Sequence, residues 1–253
     1  MTQTGELLLP LPQAPATPPC GLGSLNSPIP ARIDGGMTVA IGLLDPEGEV
    51  LVAADSRVGD EDTMRLRDGA LKSVRVNRTG ALVLAGSAEW ANHLVGQLFG
   101  IDQAKARAAL EFVEESNRVL DEVLFATAYR VNSVLVKYRG MAEAGQIELP
   151  KLNVALVGID KPAPTLYSWT WKQMWTQTAW FQSAEKPLFT IFGPGEPPEA
   201  VEAISDTSVP VWERIRKVVG VFRQICPCGV NLDIWVRRAA DDFRKRALSE
   251  FPG

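Results

Sequence analysis

Histidine is nearly missing from this 253-residue chain, which has only His93. A serine or cysteine nucleophile activated by imidazole would thus have one candidate base. His93 stands in Trp90-Ala-Asn-His93, inside a helical pattern with no nucleophile motif beside it. Its plainer reading is a half-exposed helix residue. Cysteine is scarce too: Cys20 falls in a Pro-rich stretch, and Cys226 and Cys228 lack a second Cys or His pair at zinc spacing. Packed thiols are expected there, with neither a disulfide framework nor a metal site. No P-loop, GxGxxG or HExxH motif is present, so no cofactor is expected. No apolar run approaches the length of a membrane-spanning helix. Met1 to Glu6 carries no positive charge, and Leu7 to Leu11 is short for a secretory core, so a cytoplasmic protein without a membrane partner is expected. With a net charge of -4 and no stripe of Lys and Arg interleaved with aromatics, nucleic acid is not expected as a partner either.

What the chain does have is apolar content, 46%, enough for a sizeable core. Residues 1–36 hold Pro10, Pro12, Pro15, Pro18, Pro19, Pro28 and Pro30 and show neither strand nor helix periodicity. They read as an unstructured leader: a propeptide, a regulatory tail, or sequence upstream of a start at Met37. Residues 37–253 read as one domain.

The domain opens on two apolar runs, Thr38 to Leu44 and Glu49 to Asp55, around Asp45-Pro46-Glu47-Gly48, a turn signal. A turn centred between Pro46 and Glu47 sets Val39, Ile41 and Leu43 opposite Ala54, Val52 and Val50. Thr38 then lies opposite Asp55, with Cβ atoms about 5 Å apart. Leu71 to Val76 alternates as a strand, Asn77 to Gly80 is a turn, and Ala81 to Ala85 is a buried strand ending at Gly86, giving four strands in meander order. Two long helices follow between Ala88 and Tyr138, with a break near Gly100. Leu152 to Gly158 and Thr165 to Trp171 form a second hairpin. The tryptophans at 169, 171, 175 and 180 suit a core or a subunit interface better than a ligand cage. Leu188 to Phe192 is a strand, Pro198 to Ile204 and Val211 to Ile225 are helices, and Gly229 to Val236 is a strand before a charged helix, Arg237 to Phe251. This order fits an α+β fold, a four-layer αββα sandwich of two antiparallel sheets between helical layers.

A hydrolase with so little histidine needs another base. A threonine at a chain terminus carries one in its own α-amine, whose reference pKa lies near neutrality. Thr38 would supply hydroxyl and amine, Asp55 a carboxylate, and Lys72 an ammonium that stabilises charge on the hydroxyl. Equally, Thr38 reads as an ordinary strand residue, Asp55 as a strand end and Lys72 as a solvated charge. Thr38-Val-Ala-Ile-Gly42 followed by Gly48-Glu-Val-Leu-Val-Ala-Ala-Asp-Ser-Arg57 resembles the opening of a proteasome β-subunit, including its simpler bacterial relatives. The resemblance extends through Ala85-Gly86-Ser87, Leu156 to Asp160, Pro164 to Tyr167 and Phe192-Gly-Pro-Gly195. It implies an N-terminal nucleophile hydrolase in which Thr38 attacks a peptide bond, Asp55 and Lys72 support it, and the Gly86 N–H helps bind the oxyanion. It also implies assembly with copies of the same chain, unfolded polypeptide as substrate, and an ATPase unfoldase as a possible partner. A Met directly precedes Thr38, and Gln224-Ile-Cys-Pro-Cys228 stands where the family carries a supporting Asp and Ser. An alignment anchored on Val39-Ala40-Ile41 would put Gly36 at the nucleophile position. A catalytically inactive ring subunit and an amidase for small amides therefore remain as alternatives.

Overall fold

The first hairpin forms β1 (Ala40–Leu44) and β2 (Val50–Asp55), antiparallel, with Ala40 opposite Ala54 and Leu44 opposite Val50. In this computed structural model the described residues are 38–46, 49–55, 58–59, 66–67, 70–102, 105–159, 163–181, 185–193, 197–225, 232–237 and 244–247. The chain divides into Met1–Arg32 and Ile33–Gly253, and every described residue belongs to the second unit. The leader, Gly36, Met37 and the three cysteines lie outside the described residues.

The hairpin register is one residue away from expectation. Asp45 N donates to Glu49 O at 2.8 Å, so three residues separate the closing pair rather than two. Asp55 N accordingly donates to Val39 O at 2.9 Å, and Val39, not Thr38, lies opposite Asp55. The slip is possible because both faces of these strands are apolar, so pattern does not choose between them. Val39, Ile41, Leu43, Leu51 and Ala53 lie on one face, and Ala40, Leu44, Val50, Val52 and Ala54 on the other.

After a two-stranded ladder of β3 (Val58–Gly59) and β4 (Leu66–Arg67) come β5 (Ser73–Asn77) and β6 (Gly80–Gly86). These do not continue the first hairpin as a meander. They begin a second sheet, completed in the order β5-β6-β7-β8-β9 by β7 (Leu152–Ile159), β8 (Pro164–Trp169) and β9 (Thr178–Phe181). The first sheet runs β10-β1-β2-β11-β12, with β10 (Leu188–Phe192), β11 (Leu232–Arg237) and β12 (Arg244–Ala247). Both are antiparallel throughout. β12 corrects the expected C-terminal helix: Arg244–Ala247 pairs with Asp233–Val236 and supplies ladder partners that the edge of β11 would otherwise lack. Charge is common on edge strands, where it discourages pairing with a further strand.

The expected pair of long helices is α1 (Ala88–Phe99) and α3 (Leu124–Glu143), separated by a 3₁₀ turn at Ala106–Ala108 and the short α2 (Ala109–Glu115). α1 starts at Ser87, whose side chain accepts from Trp90 N, and stops at Gly100 in the left-handed conformation. α4 (Pro198–Ser205) and α5 (Val211–Ile225) match the expected segments. Leu94, Leu98 and Leu135 pack with Val74, Leu84 and Val154 against the second sheet. Ile204, Ile215 and Phe222 pack with Val39, Ile41 and Leu51 against the first. Between the sheets lie Ala40, Val52 and Ala54 against Val83, Ala155 and Val157. They approach closely at Gly42, where a Cβ would fall 2.7 Å from Val157 Cγ2. Trp169 and Trp175 are core residues, and Trp171 packs against the same core. The described residues are thus a mixed α+β arrangement of two five-stranded antiparallel sheets, one small ladder and five α-helices. No helix among them is long and apolar enough to cross a membrane.

Candidate functional site

Thr38, Asp55 and Lys72 meet where the two sheets face each other. Thr38 precedes β1, Asp55 ends β2, and Lys72 immediately precedes β5 of the other sheet. Lys72 is held by its main chain, because its carbonyl accepts from Leu84 N at 2.8 Å and so extends the β5–β6 ladder by one pair. Its side chain then crosses to the first sheet. Nζ donates to Thr38 Oγ1 at 2.9 Å and to Asp55 Oδ1 at 2.9 Å. Asp55 Oδ1 also accepts from Val39 N at 2.9 Å. Thr38, Asp55 and Lys72 are 5%, 1% and 7% exposed, so this is a desolvated ion pair with a hydroxyl attached to it.

The expected triad therefore comes together, but by a different route. Thr38 and Asp55 are not cross-strand neighbours; Lys72 bridges them, and the one-residue slip aims the Val39 amide at the carboxylate. That amide donor was invisible to residue-type reasoning, which treats main chain as neutral. Its signal was only the odd loop length between Asp45 and Glu49. Chemically, the ammonium places positive charge 2.9 Å from the Thr38 oxygen, and a carboxylate that accepts two hydrogen bonds keeps that ammonium in place.

Gly86 lies at the junction of β6 and α1. Its φ is +118°, and a Cβ there would fall 2.0 Å from Lys151 O, so the position requires glycine. Ser87 N donates to Lys151 O at 3.0 Å, on the β7 side, while Leu84 N donates to Lys72 O on the β5 side. Amide direction alternates along an antiparallel strand. The N–H of Gly86 therefore faces the same side as that of Leu84, toward the segment carrying Lys72. A small cleft lies there, lined by Lys72 and Gly86 with Leu71, Leu84, Ala88 and Ala91 as apolar walls. These wall residues were not singled out from sequence; the small side chains on the first turn of α1 were the available hint.

His93 stands apart from this site. Its Nδ1 lies 2.9 Å from the Tyr138 hydroxyl, and Trp90 packs edge-on against Tyr138. Burial pushes the Tyr138 phenol well above its ordinary range. Among the described residues no group of three or more His, Cys, Asp or Glu side chains is placed to hold a metal ion. Comparison of the chain with protein-family models and with curated proteins finds no match.

Proposed function

We propose that this protein is a proteasome-like threonine peptidase, an N-terminal nucleophile hydrolase on an αββα sandwich, with Thr38 as nucleophile. The observation that carries the reading is the pair of 2.9 Å bonds from Lys72 Nζ to Thr38 Oγ1 and Asp55 Oδ1 inside a buried site. An ordinary strand threonine has no use for a desolvated ammonium, which is costly to bury. In the reaction, Thr38 Oγ1 attacks the substrate carbonyl while its proton passes to the α-amine of the same residue. The tetrahedral oxyanion forms beside the Gly86 N–H. The amine returns the proton to the leaving amine, and water, activated by the same base, hydrolyses the acyl-enzyme. Lys72 stabilises the developing negative charge on Oγ1, and Asp55 with the Val39 amide fixes Lys72.

The mechanism needs the Met37–Thr38 bond to be absent from the working protein. Assembly with further copies of the chain is supported by α3, which exposes Phe125, Tyr129 and Val136 at 61%, 66% and 39%. At spacings of four and seven these form one stripe. Intact mass and N-terminal sequencing of protein purified from its own host test the reading. A chain beginning at Thr38 is expected, together with covalent labelling by a threonine-directed electrophile that Thr38→Ala abolishes. A stable chain retaining Met37, or unchanged labelling of Thr38→Ala, overturns it.

A further inference from the structure

Opposite the cleft, the loop after β8 is held in a conformation that ordinary residues avoid. Met174 and Trp175 follow each other with φ of 52° and 54°, and neither is glycine. Left-handed non-glycine residues persist only where their surroundings over-determine them. Here the surroundings are specific. Trp171 N donates to Asn153 Oδ1 at 3.3 Å, and Trp175 N donates to Thr170 O at 3.0 Å. The outcome is that the Trp175 indole, 1% exposed, turns inward and donates from Nε1 to Leu152 O at 2.8 Å.

Leu152 is the cross-strand partner of Gly86. Lys151 and Leu152 form the wall against which Gly86 has no room for a Cβ, and Lys151 O anchors Ser87 N. The same indole also packs edge-on against Tyr138, with centroids 6.3 Å apart, and Tyr138 meets His93 and Trp90 of α1. One side chain thus braces both neighbours of Gly86, the entry of β7 on one side and α1 on the other. The buried indole N–H needs an acceptor, and the loop's conformation gives it one at the entry of β7, on the residue that faces Gly86 across the strands.

We infer that Trp175 is a positioning residue for the Gly86 N–H, acting through Leu152 and setting where the oxyanion donor points. The inference rests on the reading of Gly86 as that donor. It predicts an effect on the transition state rather than on substrate binding, because Trp175 is not among the residues that line the cleft.

The test uses Trp175→Phe in the full chain. It keeps an aromatic ring against Tyr138 and removes the indole N–H. Two readouts are taken: kcat and KM on a fluorogenic N-acyl tripeptide, and the ¹⁵N amide resonance of Gly86. Labelling with carbonyl-¹³C alanine and ¹⁵N glycine selects Gly86 and Gly145, the two glycines that follow an alanine. Expected are a shifted Gly86 resonance, an unmoved Gly145 resonance, and kcat lower by roughly tenfold at unchanged KM, against the ~10²–10³ lost when an oxyanion donor is removed outright. An unmoved Gly86 resonance overturns the inference whatever the rate does, and so does a loss that appears in KM. If Trp175→Phe fails to fold, Asn153→Ala is read by the same criteria, since it frees the other tether of the loop. If the wild-type protein shows no turnover, the proposed function fails, and the Gly86 resonance alone decides whether Trp175 positions it.

Discussion

The buried contact between Lys72 and Asp55 lends itself to a double-mutant cycle with Lys72→Met, Asp55→Asn and the pair together. At 2.9 Å and an effective dielectric of about 20, the two charges attract by about 6 kcal/mol, most of which offsets the cost of taking them out of water. Removing only the lysine leaves the Asp55 carboxylate in a site where its side chain is 0% exposed, with the Val39 amide still donating to it. A loss of about 3–5 kcal/mol is expected, and Asp55→Asn should cost a similar amount by stranding the ammonium. Methionine keeps most of the lysine volume, and asparagine keeps an oxygen for the Val39 amide. The double variant should therefore recover much of the loss, with a coupling energy of about 3 kcal/mol. Urea unfolding followed by tryptophan fluorescence reads all four proteins, and each single variant should shift the midpoint by on the order of 1–2 M. Single losses below about 1 kcal/mol, or a double variant as unstable as the two losses added, would refute the claim that these charges are desolvated and paired. All three variants should lose acylation of Thr38, including the restabilised one. A double variant that is both stable and active would show that Lys72 has no part in the chemistry.

Gly86→Ala should lower stability by at least about 3 kcal/mol, since it combines a strained φ with a contact of 2.0 Å to a carbonyl oxygen; an unchanged melting temperature contradicts the geometry. Arg214 Nη2 donates to Asp45 Oδ1 at 2.7 Å with both side chains buried, so Arg214→Met should cost about 3–5 kcal/mol by urea unfolding, and a loss under about 1 kcal/mol rejects the pairing. Tyr138 is held protonated by burial, so its contribution to stability is complete below the ordinary phenol pKa of about 10 and is lost as pH rises beyond it. An alkaline absorbance titration should show Tyr138 ionising only together with unfolding, and reversible ionisation in the folded protein would be the contrary result. Asp206 is partly exposed and its carboxyl is held below the usual range, chiefly by the side-chain and backbone hydrogen bonds from Ser208. Its small stabilising effect is present above the ordinary carboxylate pKa and fades as pH falls through the lowered value. Ser208→Ala should move the Asp206 carboxyl resonance titration upward, and an unmoved titration rejects the hydroxyl bond as a cause.

What could be read from sequence follows how locally each feature is determined. β10, α4 and α5 were legible to within a residue or so, because prolines, Gly193 and a single apolar period bound them. Register in the first hairpin was not. With Val39 to Leu44 and Val50 to Ala54 apolar on both faces, the pattern is satisfied either way, and a loop of three residues rather than two decided it. The same blindness assigned β1, β2, β5 and β6 to one meander, since nothing within them says that β10 and β11 flank the first pair. Arg237 to Phe251 looked helical from its charged residues, yet Arg244–Ala247 is a strand, because the open edge of β11 is a long-range fact. Of the site, residue type and spacing left Thr38, Asp55 and Lys72 open between a site and ordinary strand residues, and the resemblance singled them out together with Gly86. The Val39 amide, the cleft walls and the tether at Trp175 all depend on backbone placement.

The strand order carries a consequence for synthesis. β1 and β2 sit in the middle of their sheet, and both neighbours, β10 and β11, come from the last third of the chain. After β2 leaves the ribosome, about 130 residues must be added before β10 can pair with β1. At ~5–20 residues per second that is an interval on the order of 10 s. Over that time the hairpin bearing Thr38 has unpaired edges on both sides and no covering helices, a state open to mispairing with a neighbouring chain. The same delay acts as a timer: the strands that carry Thr38 and Asp55 cannot be locked in their sheet until the C-terminal third has arrived. A nascent chain therefore cannot hold Thr38, Asp55 and Lys72 together in finished sheets while most of it is still unfolded.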